Sequence, residues 1–171
     1  MFQRLHMPRR FRPGDAAYLA GLIDGDGCIG IWRRKTVRTR SGFTYYAEVD
    51  ISSVHPRFLR SIRDLIGVGT WIRKNRGFKS HRPLYHLKVG PNTLRWLLPL
   101  VIPHLRLKRP QAEVVLKHLQ TMLKGRHGQS PWSEKCYRMT RKLNQRGRGR
   151  LHAWYRSYRR PIRGRRQRKN H

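Results

Sequence analysis

A chain of 171 residues with 37% hydrophobic content can build one domain with a real core and has little room for a second. Its 40 Lys and Arg against 8 Asp and Glu give a formal net charge of +32, and their spread along the whole sequence favours nucleic acid over a membrane surface as the polyanionic partner. Cys28 and Cys136 stand too far apart for a paired-cysteine zinc site, and neither a membrane-length apolar run nor a secretion signal occurs, so an intracellular protein of cytoplasm, nucleoid or organelle matrix is expected.

After a basic lead-in of residues 1–14, Pro13-Gly14-Asp15 breaks the chain and offers Asp15 as an N-cap, which predicts a short helix from Ala16 to about Gly25. Ala17, Gly21 and Gly25 recur every four positions there, so they share one face and let another backbone approach closely. Each interior Gly costs a helix about 1 kcal/mol relative to Ala, and close helix packing at that face is the expected compensation.

From Ile29 to Arg40 and from Phe43 to Ser53 the pattern switches to period two, with a turn near Arg40-Ser41-Gly42. Phe43, Tyr45, Ala47, Val49 and Ile51 take the core face of the second run, and Thr44, Tyr46, Glu48, Asp50 and Ser52 the polar one. On the first run Ile29 and Ile31 point to the core, which leaves Gly30, Trp32, Arg34, Thr36, Arg38 and Arg40 as an outward, basic row. Phe58, Leu59, Ile62, Leu65 and Ile66 then follow at helical spacing until Gly67. A second strand pair is predicted over Thr70 to Arg76 and Leu84 to Val89, with His86 and Lys88 outward. Asn92 is a candidate cap for a helix through Leu98, Pro110 opens one through Met122, and Ser133 to Leu143 carries a weaker helical signal.

This order indicates an α+β domain over residues 15–145 with a largely antiparallel sheet. From Arg146 to His171 no acidic residue occurs, and a basic, disordered tail is expected.

The segment Tyr18-Leu19-Ala20-Gly21-Leu22-Ile23-Asp24-Gly25-Asp26-Gly27 carries the chemistry. An isolated Asp-Gly is usually an ordinary turn. Gly25 to Gly30 also satisfies GxGxxG, but that fingerprint needs a strand before it and a helix after it, and here the order is reversed. The segment as a whole resembles the signature of the LAGLIDADG homing endonucleases, with Gly25 in place of Ala. Leu65-Ile66-Gly67-Val68-Gly69 and Leu105-Arg106-Leu107-Lys108, followed by Gln111-Ala112, extend the resemblance over roughly residues 15 to 145.

The resemblance implies an αββαββα core and a homodimer formed through the motif helix, with Ala17, Ala20, Gly21 and Asp24 at the interface. No second motif occurs in the chain, which agrees with a homodimer. It implies that Asp26 is the catalytic carboxylate and metal ligand, assisted by the Gly25 carbonyl, and that the metal is Mg²⁺ or Mn²⁺. Such hard cations neutralise charge on the phosphorus and activate water when held by carboxylate and phosphate oxygens. Lys108 would correspond to a catalytic-site lysine, and Ser53 stands where many members place a Gln that orients water. Double-stranded DNA would lie along the sheet, read by Gly30, Trp32, Arg34, Thr36, Arg38, Arg40, Thr44, Tyr46, Glu48, Asp50, Arg73, Asn75, His86 and Lys88. A dimer would read a pseudo-palindromic site. The rival readings are an RNA maturase acting on intron RNA, a non-cleaving DNA-binding regulator and a basic structural nucleic-acid binder.

Overall fold

The computed structural model describes residues 11–39, 41–67, 70–75, 83–123 and 131–145. In chain order it contains α1 (Pro13–Asp26), β1 (Gly27–Lys35), β2 (Phe43–Ser53), α2 (Pro56–Ile66), β3 (Thr70–Asn75), β4 (Leu84–Val89), α3 (Pro91–Val101), a 3-10 turn (Ile102–His104), α4 (Arg109–Leu123) and α5 (Pro131–Asn144). The four strands form one antiparallel sheet in the order β1-β2-β4-β3.

Alternation sets the two faces of this sheet. Ile29, Ile31, Tyr45, Ala47, Val49, Ile51, Leu87 and Val89 are all buried and share one parity, and the helices bury Leu19, Ile23, Leu59, Ile66, Leu94, Leu97, Leu98 and Leu119 in the same core, joined by Leu105 from the turn before α4. The register pairs Trp32 with Tyr46, Arg34 with Thr44, Asp50 with Lys88 and Ser52 with His86, so these residues line the opposite face. Among the described residues no helix is long and apolar enough to cross a membrane.

Several boundaries differ from expectation. Helix α1 starts at Pro13, whose fixed φ and missing N–H suit the first helical position, so Arg12 rather than Asp15 is the N-cap. Asp15 instead reaches back and accepts the Arg12 N–H at 2.7 Å. Phe11, inside the stretch read as lead-in, packs edge-on against Trp96 with ring centroids 5.5 Å apart and so joins the core. The first strand begins at Gly27, directly after the helix, and ends at Lys35. Beyond it the Thr36 N–H donates to the Gly42 carbonyl at 2.9 Å, and Gly42 takes φ +71°. Helix α3 is capped by Gly90 with Pro91 following, while Asn92 accepts from the Arg95 guanidinium at 2.7 Å. Helix α2 ends as expected at Gly67, φ +89°.

Strand β1 lies at the edge of the sheet, where unpaired backbone groups invite aggregation. Helix α5 covers that edge. Thr140 Oγ1 accepts the Ile31 N–H at 3.2 Å, and Asn144 Nδ2 donates to the Ile29 carbonyl at 2.8 Å.

Candidate active site and nucleic-acid interface

Helix α1 has two faces of different character. Ala16, Leu19, Ala20 and Ile23 are buried in the core, whereas Gly14, Ala17, Tyr18, Gly21 and Gly25 form an exposed stripe. A methyl group added at Gly21 or Gly25 would meet nothing within 4 Å, so the stripe lies open along its length. The helix ends at Asp26, which is exposed, and the chain turns directly into β1 at Gly27. Only glycine fits that junction. A Cβ at position 27 would lie 2.8 Å from the Ile23 Cα and 2.9 Å from its carbonyl oxygen.

Lys108 arrives at the same helix end from the turn before α4. Its Nζ donates to the carbonyl oxygens of Ile23 at 2.7 Å and Asp24 at 2.8 Å, which places an ammonium at the negative end of the helix dipole. The Asp24 carboxylate in turn accepts backbone N–H groups of Arg106, Leu107 and Lys108 at 2.7, 3.2 and 2.9 Å. Gly25, Asp26 and Lys108 are therefore gathered at one end of α1. Ser53 stands two residues beyond Ile51, the register partner of Gly27, and so lies toward the same end of the sheet. Its Oγ accepts the His55 N–H at 3.1 Å.

Asp26 is an exposed carboxylate on a helix end with open space at Gly25, and its oxygen chemistry fits a hard divalent cation. Among the described residues no three His, Cys, Asp or Glu side chains are placed to hold a metal ion together.

The outward face of the sheet carries a charge network and an aromatic stack. The Lys88 ammonium hydrogen-bonds Glu48 and lies 3.2 Å from Asp50, whose other oxygen is 3.0 Å from His86 Nδ1. Burial lowers the pKa of Lys88, but the Glu48 hydrogen bond and the Asp50 charge outweigh it, and the net shift is upward. Lys88 is therefore held as a cation. Beside this network Trp32 stacks on Tyr46 at 6.3 Å and 21°, with the Arg34 guanidinium 5.7 Å from the Tyr46 centroid.

No protein-family model matches the chain. It is 31% identical over 108 residues to the DNA endonuclease I-CvuI of Chlorella vulgaris, a match covering 62% of this chain and 64% of that protein, a little under two thirds. Over 121 residues it is 31% identical to the DNA endonuclease I-CreI of Chlamydomonas reinhardtii, covering 70% of this chain and 71% of that protein. The chain belongs to the LAGLIDADG homing endonuclease family. Its fold agrees: the crystal structure of I-CvuI on an uncleaved I-CreI target with magnesium superposes with a TM-score of 0.66 at 21% identity, covering 82% of this chain and 89% of that one.

Against that family pattern the placement of several residues is corrected. Ala20 is fully buried in its own subunit's core, because it sits one position from the open stripe and a step of one residue rotates about 100° around a helix. It has no exposed surface. The Asp24 carboxylate is engaged by the 106–108 turn. Gly30 is buried, paired with Glu48 in the ladder, with Asn144 and Trp32 3.3 to 3.4 Å from where its Cβ would be, so it offers nothing to a ligand. Glu48 is only 4% exposed and serves Lys88. Thr36 and Arg38 lie in the loop after β1, outside the strand row. Arg40 lies outside the described residues, as do the side chains of Arg73 and Asn75. Register sets these two opposite His86 and Leu84.

Trp32, Arg34, Thr44, Tyr46, Asp50, His86 and Lys88 do share one face, and Ala17, Gly21 and Gly25 share the open stripe. Tyr18 was missed. It is a large aromatic 51% exposed on that stripe, and its spacing of four from Gly14 and three from Gly21 was the available signal.

Proposed function

We propose that this chain is a site-specific endonuclease of double-stranded DNA that acts as a homodimer with divalent magnesium or manganese. The observation that carries the reading is the gathering of Gly25, Asp26 and Lys108 at the end of a helix whose outer stripe is bare of side chains larger than Ala apart from Tyr18. Ala17, Gly21 and Gly25 let the equivalent helix of a second copy approach at backbone distance. The two-fold axis then brings two Asp26 carboxylates together, one for each strand of a duplex.

In this reading Asp26 and the Gly25 carbonyl hold the metal, which when bound neutralises charge at the scissile phosphate and lowers the pKa of water. Lys108 supplies a fixed positive charge at the helix end, where negative charge develops on phosphate oxygens. The sheet face supplies sequence reading. Arg34 can present two donors to guanine, Tyr46 and Thr44 make smaller contacts, and Asp50 holds His86 and Lys88 in fixed orientation. Pairing of Glu48 and Asp50 with Lys88 and His86 also removes the repulsion that two bare carboxylates would exert on phosphate.

The I-CvuI structures were solved on DNA with magnesium or calcium, which supports a divalent metal in the reaction. The test is to incubate the purified protein and Asp26→Asn with a randomised duplex library in Mg²⁺ and in Ca²⁺, and to sequence the ends produced. Discrete staggered cuts at a pseudo-palindrome, lost with Asp26→Asn, are the expected result. Enrichment of a site that is never cut would replace cleavage with regulation or RNA splicing.

A further inference from the structure

Asp24 stands two residues before Asp26, yet its carboxylate is engaged by a distant stretch of chain. It takes three successive backbone N–H groups: Arg106 and Leu107 on Oδ2 at 2.7 and 3.2 Å, and Lys108 on Oδ1 at 2.9 Å. In the other direction the Lys108 ammonium seats on the Ile23 and Asp24 carbonyls. Each residue holds the other's backbone.

This double tie exceeds what is needed to keep the turn in place. On one side Leu105 is buried and its N–H bonds the Val101 carbonyl at 3.1 Å. On the other, Ala112 is fully buried and its N–H bonds the Lys108 carbonyl at 3.0 Å. The core therefore anchors both flanks of the 106–108 turn. What the three bonds from Asp24 add is orientation, because hydrogen bonds from successive amides to one carboxylate fix the direction of the turn as well as its position. Lysine's flexible four-carbon stem cannot fix its own ammonium. Reaction rates are sensitive at this scale, a displacement of about 1 Å costing on the order of 100-fold.

We propose that Asp24 is a positioning residue for DNA cleavage: by holding the 106–108 backbone it keeps the Lys108 ammonium seated at the helix end that carries Asp26. This rests on the endonuclease reading. It assigns the two motif aspartates different work, Asp26 to the metal and Asp24 to the lysine.

The test is a double-mutant cycle of Asp24→Asn and Lys108→Met on the full-length protein, with a duplex that the wild type cuts from the library. Single-turnover rates at saturating protein are measured beside duplex affinity in Ca²⁺. Asp24→Asn is expected to slow cleavage of bound duplex by about tenfold or more with affinity changed less than about threefold, and to slow the Lys108→Met protein no further. Losses that multiply in the double variant would overturn the proposal, as would a loss of affinity with the bound-duplex rate intact. Should Asp24→Asn fail to fold, Asp24→Ser takes its place. Amide exchange at 106–108 in the wild type is measured in every case, and exchange at loop rates overturns the tie directly. A wild type that cuts nothing would refute the endonuclease reading itself, whereas a cutting wild type with multiplicative losses refutes only the role of Asp24.

Discussion

The hydroxyl of Thr140 accepts the backbone N–H of Ile31 at 3.2 Å, so a side chain of the last described helix occupies a ladder position on the open edge of the sheet. Both groups are buried, and removing the acceptor leaves a buried N–H unpaired, at a cost of about 1 to 3 kcal/mol. Thr140→Val, nearly the same shape without the hydroxyl, is therefore expected to lower the unfolding free energy by that amount, and Thr140→Ser to lose less. Urea denaturation of the three proteins checks this. Equal stability of Thr140→Val and wild type would mean that the edge is satisfied some other way.

The junction of α1 and β1 makes a sharper contrast between two glycines of one motif. At Gly27 a Cβ would press on the Ile23 backbone at 2.8 Å, and backbone cannot move aside as a flexible side chain can. Gly27→Ala is expected to cost about 1 to 3 kcal/mol in overpacking and to disturb the adjacent Asp26. Gly25→Ala meets nothing within 4 Å in its own subunit and gains up to about 1 kcal/mol of helix propensity. Thermal unfolding of both variants should separate them in opposite directions.

How legible these features were in the sequence depends on the distance over which they are made. The period-two run from Phe43 to Ile51 announced its core face correctly, because the pattern is written in adjacent residues. The burial of Glu48 was invisible, since its partner Lys88 lies forty residues on and only strand register joins them. The partners of Asp24 were hidden in the same way: nothing local says that its carboxylate serves amides more than eighty residues later. Ala20 failed for a different reason. Small residues at 17, 20 and 21 look alike, and only the helix angle separates one that packs inward from two that stay open.

His118 on α4 has no exposed surface, and among the described residues neither ring nitrogen has a hydrogen-bond partner. Burial lowers its pKa, so the folded protein keeps the ring neutral where the unfolded chain, near the ordinary value of about 6.5, takes up a proton. The unfolded state then binds more protons, and by linkage the stability contribution is complete above about pH 6.5 and lost as pH falls below it. His118→Leu should flatten the slope of unfolding free energy between about pH 5 and 6.5. An unchanged slope in that variant would assign the acid sensitivity to other groups.

The proposed dimer can be tested without DNA. Gly21 lies mid-stripe on α1 with nothing within 4 Å of an added Cβ, so Gly21→Leu places its whole side chain outside the subunit's core. A helix pair packed at backbone distance cannot admit that side chain, while an isolated subunit can. Gly21→Leu is expected to sediment as a monomer at concentrations where the wild type is dimeric, with circular dichroism unchanged and cleavage of both strands lost together. Ala20→Leu is the contrasting variant. Because Ala20 is fully buried, the added volume strains the core by about 1 to 3 kcal/mol and acts on folding before association. A Gly21→Leu protein that remains dimeric would move the subunit contact away from the motif helix, and with it the argument that two Asp26 carboxylates meet.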